Sequence, residues 1–489
     1  MRLLLVFSEV QIKYGSYAFQ HGLGAISAYV KRAGHEVALA YIGPRWNSRP
    51  FQRQVRSFAP HVIGFYTTED QLRFARQLLR QLGSERPFTV FGGPFATLNP
   101  EFLEEEPLLD ALCVGEGELA TTELLCRLAE GADPGDVPGL WVRRGSEIVR
   151  NPPPPFLADL DALPPVDRSL FAEAPEIRHV GITQICHRNS FRISRGCPYG
   201  CTFCSNKRLS QAQDGRFTRF RSVAAVMREI EDVIAAYHPA EIYFEDDTFT
   251  LKEGWVDEFV VAYPEVTRLP FEFFSHIGPS TLDVLEKLRR VGGRRVSFGV
   301  ESGNEEIRSR VLGKRFSNQQ VVEVFREARR MGYQAEAFVM AGLPDETPHS
   351  FGDTAELLRE IQPDLYSVSI YFPFRGTALY EYALEQGYLK GPVDLDASFV
   401  SRRRALLQMP EFPPQSVARE VRRLPFRVYG KTSLRKALLF RVYESRLGDP
   451  LLRLLAPVKR VLRIFAVGGL TGAHRVEGMA PLKRWMNGS

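Results

Sequence analysis

The sequence predicts an α/β protein in which two regions of parallel strands precede a helical, basic segment. Apolar strand-like runs alternate with amphipathic stretches over the first 130 residues, and again from about residue 190. The proline-rich stretch NPPPPFLADLDALPPVDRSL (151–170) separates the two regions. Residues 401–489 hold 19 Lys and Arg against 5 Asp and Glu, which marks a separate C-terminal module.

The first region contains five strand-like runs: RLLLVF, EVALAYI, HVIGFY, FTVFGG and DALCVGEGE. Helical patterns such as GLGAISAYVKRAG and EDQLRFARQLLRQLG lie between them, which predicts a Rossmann-like doubly wound domain over residues 1–150. DVPGLWVRRGSEIVRN predicts a closing hairpin, and residues 151–188 a stiff, extended linker. Four glycines lie at or just past strand ends, where such sheets bind ligands: Gly92, Gly93, Gly115 and Gly117.

The second region contains six further strand-like runs: FRIS, EIYFED, FEFFS, RVSFGVES, EAFVMAG and YSVSIYF. Helical patterns separate them, so the chain forms six β/α units where a closed barrel has eight. We therefore predict an open, partial (β/α)6 barrel of the TIM type over residues 189–390. Residues 391–489 are predicted to form a basic, mainly helical C-terminal domain.

Hydropathy, the opening run and the cysteine content together predict the cellular compartment of the protein. No apolar run reaches the roughly 18 residues of a membrane-spanning helix. The opening run MRLLLVFSEV meets Glu9 too early for a signal peptide and reads as a buried strand. Six cysteines in 489 residues do not suggest a disulfide framework. These features predict a protein of the reducing cytoplasm.

Three of the six cysteines, Cys197, Cys201 and Cys204, lie within eight residues. Thiolates are the usual ligands of iron–sulfur clusters. Three of them would hold three irons of a cubane and leave the fourth iron open to a small molecule. A zinc site would need a fourth protein ligand, and the nearest histidine, His187, lies ten residues upstream. Zinc and coincidental spacing remain the alternatives.

The run CPYGCTFC (197–204) resembles the signature of the radical S-adenosylmethionine (SAM) enzymes. The segments YFEDDTF (243–249), FGVESGNEEI (298–307), FVMAGLPDET (338–347) and YFPFRGT (371–377) are similar to later motifs of that family. The resemblance implies a [4Fe-4S] cluster on the three cysteines, with SAM on the open iron. It implies SAM contacts for Phe203, Asp246, Asp247, Glu301, Ser302 and Gly342. As alternatives, the two aspartates cap a helix and Glu301 is a surface carboxylate.

The first domain resembles that of the cobalamin-dependent radical SAM enzymes. The resemblance rests on GLGAISAYVKRAGHEV, FGGPFATLNPE (91–101), VGEGE (114–118) and LDALPPVDRSLF. It implies cobalamin contacts at Thr67, Thr68, Gly92, Gly93, Gly115 and Glu116. The two threonines would lie below the cobalt, since no Asp-x-His-x-x-Gly motif supplies a histidine ligand. As an alternative, the glycines serve tight turns in a domain that binds something else or nothing.

Methylthiotransferases carry further cysteines near the N-terminus, but residues 1–112 contain none. Cys113 and Cys126 are therefore interpreted as small, buried residues. His276, which follows the third barrel strand, is interpreted either as a core or surface residue or as part of the site.

The resemblance implies a C-methyltransferase that acts on an unactivated carbon through a 5′-deoxyadenosyl radical and methylcobalamin. A cyclase, oxidase or ring-rearranging enzyme with the same cofactors is one alternative, and a non-catalytic cobalamin-binding protein is another. The implied partners are a small-molecule, carrier-bound or lipid-like substrate and a low-potential electron donor such as flavodoxin or ferredoxin. The sequence identifies no catalytic side chain.

The segment PLLRLLAPVKRVLRIF (450–465) has an apolar stripe opposite Arg453, Lys459, Arg460 and Arg463. It is interpreted either as a helix packed on the barrel or as a surface that meets anionic lipid, an acidic substrate or a carrier. The second interpretation would place a cytoplasmic protein at the inner face of the membrane. Nucleic acid is not expected as a partner, since the segment lacks interleaved aromatic residues for base stacking.

Overall fold

The computed structural model of the protein describes residues 1–10, 19–43, 46–83, 85–175, 188–393 and 404–444. Its first sheet has seven strands: β1 (Arg2–Ser8), β2 (Glu36–Ile42), β3 (Val62–Tyr66), β4 (Phe88–Gly92), β5 (Ala111–Cys113), β6 (Leu140–Arg144) and β7 (Glu147–Arg150). The strand order is β2-β1-β3-β4-β5-β6-β7. The first five strands are parallel, and β6 and β7 close the sheet as an antiparallel hairpin. The doubly wound prediction is confirmed.

Six helices flank this sheet: α1 (His21–Arg32), α2 (Arg49–Phe58), α3 (Glu69–Leu79), α4 (Pro94–Leu98), α5 (Phe102–Glu105) and α6 (Gly117–Ala129). The alternation of side chains along β1 separates two cores. Leu3 and Leu5 pack with residues of α1 and α6, whereas Leu4 and Val6 pack with residues of α2 and α3. Because β2 and β3 lie on opposite sides of β1, the winding reverses there, and ligands bind beside such a reversal.

The proline-rich stretch does not run free between the two regions but packs against both. The backbone amide of Asp167 donates to the Gly24 carbonyl (3.1 Å) in α1. The Phe156 amide donates to the carbonyl of Asp214 (2.8 Å), which lies beyond the cysteine triplet. The short helix α7 (Ser169–Ala172) follows. The stretch therefore forms a wall between the two sheets.

The second sheet has six parallel strands: β8 (Ser190–Phe191), β11 (Ile242–Phe244), β12 (Phe271–Ser275), β13 (Gly293–Glu301), β14 (Gln334–Ala341) and β15 (Leu365–Ile370). Their order follows the chain, and β8 and β15 form the two edges. A separate two-stranded ribbon joins β9 (Ser194–Arg195) and β10 (Arg219–Phe220). The partial-barrel prediction is therefore confirmed.

The helices of this region complete its six units: α8 (Asn206–Leu209), α9 (Val223–Tyr237), α10 (Glu253–Val266), α11 (Thr281–Arg290), α12 (Asn318–Arg330), α13 (Pro348–Ile361) and α14 (Ala378–Glu385). Their apolar faces and the strands form one continuous core. The helices α15 (Pro414–Tyr429) and α16 (Leu434–Glu444) pack on this core through Val417, Leu424 and Phe440.

No helix within the described ranges is long and apolar enough to cross a bilayer. The segment 450–465, interpreted above as a cationic amphipathic helix, lies outside those ranges.

Candidate active site

The cysteine loop, residues 197–204, follows β8 and β9 at the carboxyl end of the barrel strands. Two bonds from Thr202 fix it to the segment after β13: its amide donates to the Leu312 carbonyl (3.2 Å), and its hydroxyl donates to that of Val311 (2.6 Å). On the other side, the Thr202 carbonyl accepts from the Leu379 amide (3.0 Å) at the start of α14. These three bonds anchor the loop to the segment after β13 and to α14.

Cys197, Cys201 and Cys204 are all partly buried, and none forms a disulfide. Burial raises the pKa of each thiol, and that of Cys204 to about 11. A bound cation would reverse this effect, because metal ligation requires and stabilises the thiolate. Within the described ranges, no three His, Cys, Asp or Glu side chains converge on one point to hold a single ion. Three cysteines on one anchored loop fit a cluster, in which each thiolate binds a different iron.

Asp246, expected to contact SAM or to cap a helix, has another role in the structure. It is 1% exposed, and its carboxylate accepts hydrogen bonds from the amides of Ile193 (3.0 Å) and Ser194 (2.7 Å) and from the Ser194 hydroxyl (2.6 Å). Burial raises its pKa to about 6. These bonds turn the chain out of β8, so the predicted strand FRIS divides into β8 and β9. Asp246 therefore positions the entry to the cysteine loop.

Asp247, by contrast, is exposed beside the cysteine loop. Its carboxylate accepts from the Asn206 side chain (2.8 Å) at the start of α8. Burial of the thiols is the main cause of the raised pKa of Cys197 and Cys204, and the negative charge of Asp247 raises both pKa values further. Phe203 is partly buried and packs against the barrel core. Asp247 is therefore an exposed carboxylate beside the cysteine loop, and its contact with SAM stays a prediction.

Glu301 ends β13 and lies next to the loop. Its backbone φ is +64°, and the β13–β14 register shifts at this residue. Such a conformation is uncommon for a residue other than glycine and clusters at functional sites. The buried Lys314 ammonium donates to the Glu301 carboxylate (3.1 Å) and to the Gly299 carbonyl (2.5 Å). This ion pair fixes the carboxylate near Cys201, and Glu301 is not the surface residue of the alternative interpretation.

Ser302 is fully buried, and its hydrogen bonds support the turn that follows β13. Its hydroxyl accepts from the Asn304 amide (3.2 Å), and its carbonyl accepts from the buried Arg308 guanidinium (2.6 Å). Arg308 also donates to the Phe316 carbonyl (2.8 Å). Together these bonds brace the turn that carries Lys314. The sequence analysis missed Arg308 and Lys314, although both lie in the run that follows the ESGN motif.

Gly342, another SAM candidate, begins the turn after β14 with φ +71°. Its amide donates to the buried Glu346 carboxylate (2.6 Å), and the Leu343 amide donates to the same oxygen (3.3 Å). Burial raises the pKa of Glu346 to about 8. The Gly342 amide is therefore engaged within the turn, and contact of this residue with SAM stays a prediction.

His276 stacks on Tyr199 of the cysteine loop, with 4.0 Å between ring centroids and 13° between planes. Burial, helped by the Lys314 charge, lowers its pKa to about 4. The imidazole is therefore neutral at physiological pH and acts as a flat support for the loop.

A cavity of about 560 Å³ lies between the first sheet, the proline-rich stretch and the barrel. Tyr66, Gly92, Gly93, Gly115 and Glu116 line it, whereas Thr67 and Thr68 do not. The wall from the proline-rich stretch contains Leu160, Asp161, Leu163, Pro164, Pro165 and Val166. The cavity reaches the winding reversal at β1 and β3, where a doubly wound sheet binds its ligand.

The two threonines proposed to lie below the cobalt are engaged within the first domain. The Thr67 hydroxyl is buried and donates to the Gly92 carbonyl (2.9 Å). The Thr68 hydroxyl and amide both donate to Gln71 (3.1 Å each) in a capping box at the start of α3. Tyr66, one residue earlier, faces the cavity instead. The side chains of Thr67 and Thr68 therefore close the strand end and the start of α3, and the contact of this loop with cobalamin stays a prediction.

Gly92 and Gly115, which both line the cavity, differ in why a side chain is absent there. Gly115 has φ +88°, and a Cβ there would lie 2.5 Å from Gln213 Oε1, so the backbone itself requires glycine. A Cβ on Gly92 would meet only Cys113 Cβ, at 3.7 Å. Gly92 is thus the position whose missing side chain leaves the cavity open. Cys113 is buried, as expected, but also lies on the cavity wall.

Glu116 joins the two domains. Its carboxylate accepts from Arg195 (2.9 Å) and twice from Arg219 (2.7 and 3.0 Å), and Arg195 also donates to Glu118 (2.5 Å). Burial alone would raise the pKa of Glu116, but the two arginines lower it below its usual value. We call these four residues, Glu116, Glu118, Arg195 and Arg219, the interdomain ion-pair network.

His21, at the start of α1, is a cavity residue that the sequence analysis missed. Its Nε2 lies 2.8 Å from the Ser190 hydroxyl and 3.8 Å from the Glu245 carboxylate, so it links the first domain to β8. Burial, then the Arg192 charge, lowers its pKa well below the usual range. A lone histidine in a helical pattern carries no signal that could have identified this role.

Comparison with known proteins finds a matching family for each of the two domains. Residues 191–358 match the family model of the radical SAM superfamily, and residues 10–125 match that of the B12 binding domain. An uncharacterized methyltransferase of Pyrococcus horikoshii is 29% identical over 404 residues, covering 80% of this chain and 84% of that protein. The hopanoid C-3 methylase of Methylococcus capsulatus is 27% identical over 368 residues, covering 73% and 67%.

A structural comparison extends this likeness to the whole fold. The cobalamin-dependent SAM radical enzyme OxsB, solved with aqua-cobalamin and SAM bound, superposes with a TM-score of 0.67 at 16% identity, covering 100% of this chain and 75% of that one. A B12-binding domain thus precedes a radical SAM domain with three clustered thiols, which is the domain arrangement of the cobalamin-dependent radical SAM enzymes.

Proposed function

We propose that this enzyme methylates an unactivated carbon of a small-molecule substrate. The observation that carries the proposal is the position of Arg195, whose side chain lines the large cavity and whose backbone leads directly into Gly196 and Cys197. The cobalamin cavity and the cysteine loop therefore adjoin, as they must if one carbon is to be reached from both. When bound, the cluster with SAM supplies a hydrogen-abstracting radical and cobalamin supplies the methyl group.

The chain's own residues would bind and orient these groups. Cys197, Cys201 and Cys204 would hold the cluster on a loop that is already anchored. Lys314 would keep the Glu301 carboxylate turned toward SAM. Gly92 and the backbone at Gly115 would leave room for the nucleotide tail of cobalamin, and His276 would support the loop as a neutral ring.

The experiment measures two products from anaerobically reconstituted enzyme. Formation of 5′-deoxyadenosine tests for radical chemistry, and S-adenosylhomocysteine in addition distinguishes methyl transfer from cyclisation or rearrangement. We expect Cys197→Ala, Cys201→Ala and Cys204→Ala each to abolish both products, because two thiolates hold a cluster poorly.

Cys126→Ala is the matched control, since Cys126 is half-buried with its sulfur 3.5 Å from His35 Nε2, away from the loop. A full iron content in any of the three loop variants would contradict the cluster assignment. If the wild-type enzyme binds cobalamin but forms no 5′-deoxyadenosine, the non-catalytic alternative replaces the proposal.

As a second candidate we propose a carrier-bound or lipid-like substrate, together with contact of the basic segment 450–465 with an anionic membrane. The charge of residues 401–489 motivates it. Co-sedimentation with anionic vesicles at low and high salt tests it, and a protein that stays in the supernatant at low salt contradicts it.

A further inference from the structure

A second cavity, of about 490 Å³, opens on the outer side of the cysteine loop. Cys197, Pro198 and Tyr199 of the loop line it, together with Phe217, Phe220 and Leu251. It shares no lining residue with the cobalamin cavity. A cluster ligand is therefore accessible from a side that is separate from the cavity where the substrate would meet cobalamin.

The rim of this second cavity is basic. Lys207, Arg216 and Lys252 line it and are exposed, and no Asp or Glu is among the lining residues. None of the three basic side chains forms an ion pair with another residue in the described ranges. Their charge thus remains available to a partner, unlike that of Arg195 and Arg219, which the interdomain ion-pair network neutralises.

An apolar, aromatic centre with a charged rim is the usual anatomy of a protein–protein interface. Complementary charge around such a centre guides encounter and fixes orientation. Electron transfer between proteins requires their redox centres to approach closely, and Cys197 is one of the residues that line this surface. We propose that the surface formed by Cys197, Tyr199, Lys207, Arg216, Phe217, Phe220 and Lys252 is the docking site of an acidic electron-transfer protein.

The inference rests on the proposed function, because it is the cluster that needs an electron. One electron leaves the low-potential donor, which is oxidised, and enters the cluster, which is reduced. No bond forms or breaks between the two proteins, and no atom is transferred.

The test measures binding, which is independent of turnover. The full-length reconstituted enzyme is titrated anaerobically with an acidic flavodoxin and, separately, with an acidic ferredoxin. We expect Lys207→Glu/Arg216→Glu/Lys252→Glu to weaken the Kd for the physiological class of donor at least about tenfold. Wild-type affinity should fall between about 50 mM and 300 mM salt, as screening shortens the range of the charges.

The matched control is Arg53→Glu/Arg56→Glu/Arg80→Glu. These arginines are exposed on or next to α2 and α3 of the first domain and form no ion pair in the described ranges, so the net charge changes equally. We expect its Kd to stay within about twofold of wild type. The neutral variant Lys207→Gln/Arg216→Gln/Lys252→Gln provides a milder test if charge reversal lowers the iron content.

Equal donor affinity in the cavity variant and the control variant would overturn the inference, as would failure of both donors to bind wild type at low salt. The inference would also be overturned if a single-stranded oligonucleotide displaced the bound donor from the enzyme more effectively than added free donor does. Dithionite-driven formation of 5′-deoxyadenosine bypasses docking and should be the same in all variants. If it is absent even in wild type, the proposed function fails while the binding result still decides the docking site.

Discussion

Substitution of Glu116 by Gln tests whether the two domains are held together by charge. Arg219 is only 3% exposed at its side chain, and Glu116 is 21% exposed. Removing one partner of a buried ion pair costs about 3–5 kcal/mol. The lower end applies here, because Arg219 keeps its bond to the Leu157 carbonyl (2.8 Å) and Arg195 keeps Glu118 (2.5 Å). We therefore expect Glu116→Gln to lower the free energy of unfolding by about 3 kcal/mol.

The assay is urea unfolding of the apoprotein followed by circular dichroism at neutral pH. The matched control is Glu104→Gln, since Glu104 pairs with Arg150 (2.6 Å) at a site where both side chains are 51% exposed. Exposed pairs contribute at most about 1 kcal/mol, so the control should change little. A double-mutant cycle with Arg219→Gln should give an interaction energy of about 2 kcal/mol. A loss in Glu116→Gln no larger than in the control would refute the reasoning.

The ion pairs of Glu116 with Arg195 and Arg219 also predict how the stability of the protein changes with pH. The arginines lower the pKa of Glu116 in the folded protein below its unfolded value. Its contribution to stability is therefore fully present above the unfolded pKa of about 4.3, and is lost as pH falls through the lower folded value. Glu116→Gln should remove this part of the acid sensitivity, so its stability should fall less steeply below about pH 4.3 than that of wild type.

Two further predictions concern the cofactor sites. Gly92→Leu should abolish hydroxocobalamin binding, because the longer side chain would enter the cavity. Folding and iron content should not change, because a Cβ at this position meets no close neighbour. Binding that is retained in the visible spectrum would contradict this prediction. Gly115→Ala is not an equivalent test, since φ +88° and Gln213 make it strained without any ligand. Lys314→Met should weaken SAM binding about tenfold in equilibrium dialysis by releasing Glu301, whereas Lys314→Arg should restore part of it; unchanged affinity in Lys314→Met would reject the positioning role.

The two sheets and the cysteine loop could be predicted from the sequence, because each of them depends on a local pattern of residues. Period-two apolar runs and the Cys-x3-Cys-x2-Cys spacing are each complete within a few residues. The sequence was insufficient for Glu116, whose partners Arg195 and Arg219 lie 79 and 103 residues away and meet it only once the domains have docked. The bonds from Ile193 and Ser194 to Asp246 were missed for a related reason, since a motif gives a residue type but not the direction of its carboxylate.

The residues from Leu160 to Val166, which belong to the predicted linker, form a wall of the cavity between the first sheet and the barrel. Val166 lies against Gly24 of α1, and Asp161 accepts from the Ser222 amide (3.1 Å) at the start of α9, so this wall is fastened to both domains. A corrinoid bound in the cavity would therefore be bordered by a wall that both domains hold in place. We expect this wall to slow the release of bound cobalamin. Exchange of bound cobalamin against a labelled excess should be much slower than turnover.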